Sequence, residues 1–62
     1  MTRYAIRTAR GYVAGIFPSK HGVMSIAYCE TSAFALTWPT MTEAVLEMLT
    51  RNITGVAELV ER

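Results

Sequence analysis

Cys29, His21 and Glu30 are the residues from which this chain could build a thiol nucleophile with a base and an acid beside it. Cys29 is the only cysteine and His21 the only histidine. The residues between them alternate as a strand, and eight residues of strand hold the two about 25 Å apart. A nucleophile and its base must lie within hydrogen-bond reach, so on this reading the pair does no chemistry. Cys29 is expected to be a small core or edge residue. The chain has no Asp, which leaves glutamates for any carboxylate pair. Glu43 and Glu47 stand four apart on the polar face of a predicted helix, where they solvate it and favour its N-terminus. One His and one Cys cannot complete a four-ligand structural zinc site. Gly11, Gly15, Gly22 and Gly55 are scattered singly and form no phosphate-cradling loop. Neither enzymatic activity nor a metal or cofactor is expected.

The elements that position these residues follow from periodicity. Residues 3–9 alternate, with Tyr4, Ile6 and Thr8 on one face and Arg3, Ala5 and Arg7 on the other, as in a half-buried strand. Ala9-Arg10-Gly11 reads as a three-residue hairpin loop with Gly11 left-handed. A second strand runs from Tyr12 to Phe17 and stops at Pro18. After the Ser19–Gly22 turn, Val23 to Cys29 forms a third strand with Met24, Ile26 and Tyr28 on its large face. Glu30-Thr31-Ser32 is expected as a loop and residues 33–38 as a short extended segment. Pro39 keeps Trp38 out of helical geometry. Thr40 and Glu43 make a capping box, and Met41, Ala44, Val45, Met48 and Leu49 trace one helical stripe. The helix is predicted over 41–51, with Asn52 as its C-terminal cap. In the tail, Val56, Leu59 and Val60 have helical spacing, while Val56, Glu58 and Val60 alternate as a strand. Gly55 separates this segment from the helix, and a strand returning to the sheet is the favoured reading.

Length and composition bound the function. The chain has 62 residues, 52% of them apolar. A domain of this size buries only about 60% of its unfolded surface. With no disulfide to staple it, some apolar side chains must stay outside, and exposed apolar patches mark contact surfaces. An isologous dimer is the simplest closed solution. The net charge is +1, but residues 1–29 carry Arg3, Arg7, Arg10 and Lys20 with no acid, while residues 30–62 carry five Glu against Arg51 and Arg62. With the helix on the opposite face, Arg3 and Arg7 would stand on an open sheet beside Arg10. Such a face could meet phosphates or an acidic protein. Nucleic acid is disfavoured, because Tyr4 and Tyr28 fall on the core side and leave Tyr12 as the sole stacking ring. No apolar run approaches the about 20 residues of a membrane span. A lone cysteine and the lack of an apolar leader suit the cytoplasm.

Tyr4-Ala5-Ile6-Arg7 followed by Gly11-Tyr12-Val13 resembles the first hairpin of many small phage and prophage proteins of uncharacterised function. Ala35-Leu36-Thr37-Trp38-Pro39-Thr40, with Glu43-Ala44 opening a helix and a valine-rich tail, is similar to their second half. The resemblance implies an architecture and a mode of action by binding, in some cases inhibition of host enzymes or of defence systems, including CRISPR effectors. It carries over no functional residue.

The expectation is one α+β domain over residues 1–62. An antiparallel sheet of three to four strands carries one amphipathic helix on a face, in the order β-β-β-(β)-α-β. Arg3, Arg7, Arg10, Lys20 and Leu46 are the candidate contact residues for a host protein. Leu46 is included because it lies beside the helical stripe and widens its apolar face. The alternatives are a nucleic-acid-associated regulator using the arginines and a structural homo-oligomer.

Overall fold

A computed structural model describes residues 2–18, 22 and 24–61. Lys20 and His21 lie outside the described residues. The chain forms β1 (Thr2–Thr8), β2 (Gly11–Pro18), β3 (Met24–Cys29), a 3-10 turn (Ser32–Phe34), β4 (Thr37–Trp38), α1 (Met41–Thr50) and β5 (Val56–Glu61). All strands join one antiparallel sheet, and α1 packs on one of its faces, giving an α+β fold. The sheet has five strands because both the short segment before the helix and the tail enter it.

β1 organises the sheet. Arg7 pairs with Tyr12 on one edge and Val56 on the other, and Tyr4 pairs with Trp38 and Leu59. Thus β5 lines one edge of β1 along its length, while β2 and β4 share the opposite edge. The β2–β3 ladder shifts register between Val13 and Gly15, and the Leu36 amide donates to the Val13 carbonyl at 2.9 Å. A bulge sharpens local twist, and here β2 leaves β1 so that β4 takes its place. β4 and β5 then run in the same direction on either side of β1, and α1 crosses over β1 to connect them.

Adjacent strand residues point to opposite faces, yet Ala5 and Ile6 are both fully buried. Under α1, Ile6 and Val13 pack with Ala44 and Met48, and Tyr28, Trp38 and Ile53 close around them. On the reverse face Ala5 packs with Ala35 and Val60, flanked by Tyr12 and Cys29. The expected half-buried strand is therefore a strand covered on both sides. The segment carrying Ala35 folds back over the face that alternation alone leaves open.

Local chemistry sets the element ends. The Thr40 hydroxyl accepts the Glu43 amide at 3.2 Å from an extended cap residue. In the expected box the Glu43 carboxylate would reach the Thr40 amide; here it accepts from the Thr40 hydroxyl instead. At the other end Asn52 adopts φ 55, with Asn52 N–H to Leu49 and Ile53 N–H to Met48. This is the Schellman pattern, and its usual contact is present, Ile53 packing beside Met48. At the first hairpin Thr8 pairs with Gly11, so the connecting loop is Ala9-Arg10, one residue shorter than expected because Gly11 opens β2, while Gly11 keeps the expected positive φ.

Candidate functional site

The arginines of β1 share the reverse face, as alternation predicts, but that face is not bare. The Arg3 guanidinium donates to the Thr37 hydroxyl at 2.6 Å and to its carbonyl at 3.0 Å. Arg7 pairs with Glu58 at 3.1 Å. Glu58 also accepts the Tyr12 hydroxyl. The Glu58 hydrogen bond, followed by burial and the Glu58 charge, holds the Tyr12 phenol above its ordinary 10.0, with Arg7 opposing. A cationic face read from β1 is thus a mixed one in which β5 supplies the counter-charge. Sequence reasoning missed Glu58 as the centre of this cluster. Its alternation with Val56 and Val60 was the available signal, but the identity of the neighbouring strand was not.

Arg10 sits in the hairpin turn, at the rim of a cleft of about 550 Å³ that Tyr28, Asn52, Ile53 and Gly55 help to line. Arg7 lines the same cleft, whereas Arg3 does not. Cys29 is half-buried against the reverse-face core, and its thiol donates to the Thr31 carbonyl at 3.1 Å. Among the described residues no group of His, Cys, Asp and Glu has the arrangement of a metal site, and no helix is long and apolar enough to cross a membrane.

The helix departs most from expectation. Of its predicted stripe only Ala44 and Met48 are buried, while Met41, Val45 and Leu49 are exposed. Leu46 is 54% exposed and Leu49 73%. The sheet beneath is too narrow to cover an apolar arc this wide. Orientation follows from Arg51, which pairs with Glu47 at 2.5 Å and reaches the Met24 sulfur at the start of β3. That flank faces β3, so the opposite flank, Met41-Val45-Leu49, looks towards β5. Leu59 of β5 pairs with Tyr4 and so points to the helix-bearing face; it is 55% exposed. Leu46 is thus brought beside Leu49 on α1, far from the arginines with which the sequence grouped it. Comparison of the chain with protein families, curated proteins and solved structures finds no match.

Proposed function

We propose that the protein acts by stoichiometric docking onto another protein, without turning over a substrate, and that the apolar ridge of α1 makes the contact. The observation that carries this is the exposure of Leu46 and Leu49 on a helix whose buried residues are Ala44 and Met48 alone. A domain of marginal stability gains nothing from leucines in water, and contiguous exposed apolar surface marks contact sites. The finer reading, a phage accessory protein occluding a host defence or regulatory factor, rests on the sequence resemblance. The nucleic-acid alternative draws no support from Arg3 and Arg7, whose guanidinium groups are held by Thr37 and Glu58. The test is capture from a bacterial lysate by immobilised wild type and by a Leu46→Glu/Leu49→Glu variant, with native mass spectrometry of the eluate. A partner in fixed ratio on the wild type and absent from the variant is expected. Equal retention on both would overturn the reading.

A further inference from the structure

We infer that β5 is the seam of a symmetric dimer, in which two copies of this chain join their sheets antiparallel along that strand with Leu59 on the two-fold axis. All six residues of β5 pair with β1 on one edge, and among the described residues no strand pairs with the other. An open edge is a template for another strand, and monomers blunt it with Lys, Pro, bulges or inward charge. β5 has none of the first three: its sequence is VAELVE and its register on β1 is unbroken. Both of its carboxylates are engaged within the chain. Glu58 accepts from Arg7 and Tyr12, and Glu61 accepts from the Thr2 hydroxyl at 3.2 Å. Arg7 therefore offsets the Glu58 charge, Glu61 at the end of the strand keeps its own, and the exposed flank of α1 with Leu59 extends the edge upward as an apolar wall. β3, the other outer strand, instead presents the exposed small residues Ser25 and Ala27.

Symmetry and charge then select the register. A two-fold axis through an antiparallel pair is perpendicular to the sheet and keeps both helices on the same face. Some residue must then face its own copy. On a six-residue strand the two longest overlaps centre on Glu58 or Leu59. Centring on Glu58 sets carboxylate against carboxylate, which is destabilising for directly opposed residues. Centring on Leu59 pairs it with its own copy, sets Glu58 beside Val60 of the second copy and Ala57 beside Glu61, and opposes no like charges. This self-complementarity is what favours a second copy as the occupant. The wall is about 20 Å long and about 20 Å high, one strand by a sheet and a helix. Its footprint is about half the roughly 800 Å² per partner of a standard interface, which makes the dimer a weak, transient one. Leu46 lies about 60° further round α1 than Leu49 and stays outside the seam, so a dimer leaves the proposed docking ridge available.

Sedimentation velocity over about a hundred-fold concentration range spanning tens of micromolar tests this, with circular dichroism confirming that each variant folds. Wild type is expected to pass from monomer to dimer. Leu59→Lys, which sets two ammonium groups face to face, should weaken association at least about tenfold, while Ala27→Lys on β3 should leave it unchanged. As a second readout, Leu59→Cys in a Cys29→Ser background should oxidise to a covalent dimer. A wild type that stays monomeric throughout overturns the inference, as does a dimer that Leu59→Lys leaves intact or Ala27→Lys abolishes. Because capture by α1 is read separately, the dimer can fail while the docking function stands, and the reverse.

Discussion

Replacing Ile6 by alanine should remove a large share of the protein's stability. Ile6 is fully buried at the centre of the sheet, with Val13, Ala44 and Met48 around it. Alanine deletes three carbons, about 2.4 kcal/mol of transfer free energy at about 0.8 kcal/mol per buried methylene. A cavity term adds to this, because strand pairing on both edges of β1 prevents full collapse, and the total should be about 3–4 kcal/mol. A chain of this length is held by about 3–9 kcal/mol in all, so the loss is between a third and the whole of its stability. Urea titration followed by far-UV circular dichroism and Trp38 fluorescence, at one protein concentration for both proteins, measures the loss. The midpoint should fall sharply with an unchanged slope for whatever fraction still folds. Phe34→Ala is the contrast, since Phe34 is among the most exposed apolar residues and its loss should cost no more than about 0.5 kcal/mol. A loss below about 1 kcal/mol for Ile6→Ala would refute the placement of the core under α1.

Thr40→Ala removes the hydroxyl that accepts the Glu43 amide and should cost about 1 kcal/mol, read in the same titration. At Gly55 an added Cβ would lie 2.4 Å from the Arg7 carbonyl oxygen; Gly55→Ala should destabilise by about 1–3 kcal/mol because backbone on both sides must shift. Tyr12 gives a pH dependence. Its phenol is held above 10.0 mainly by the Glu58 hydrogen bond, so that contribution is present at neutral pH and is lost as pH rises through the folded value. Thermal stability should therefore fall more steeply above about pH 10 in wild type than in Tyr12→Phe, and equal slopes would remove Tyr12 from the cluster.

Where local rules govern, the sequence is readable. The capping box places the start of α1 at Met41, and Gly11 places the first hairpin. Tyr4 and Tyr28 fall on the helix side, as alternation requires, and Trp38 joins them there. Alternation also groups Arg3 with Arg7. It does not say that β4 displaces β2 from half of β1, or that Glu58 arrives beside Arg7 from fifty-one residues away. These are long-range choices made by a bulge and by the return of the tail, and no window of neighbouring residues encodes them. The stripe on α1 fails for a related reason: periodicity counts apolar residues on a face, while the width of the sheet beneath decides how many are covered. Leu46, beside that stripe, is exposed; Arg10, in the hairpin turn, shares a cleft with Arg7 but not with Arg3.

The arrangement of partners around β1 has a consequence for synthesis. β1 finds most of its strand partners in β5, which is made well after it. While the tail is still within the ribosome, β1 has only the few pairs offered by β2 and β4. Closing the sheet must therefore wait until residues 56–61 have left the ribosome, and changes that remove those residues should leave a polypeptide open to proteases rather than a shortened native domain.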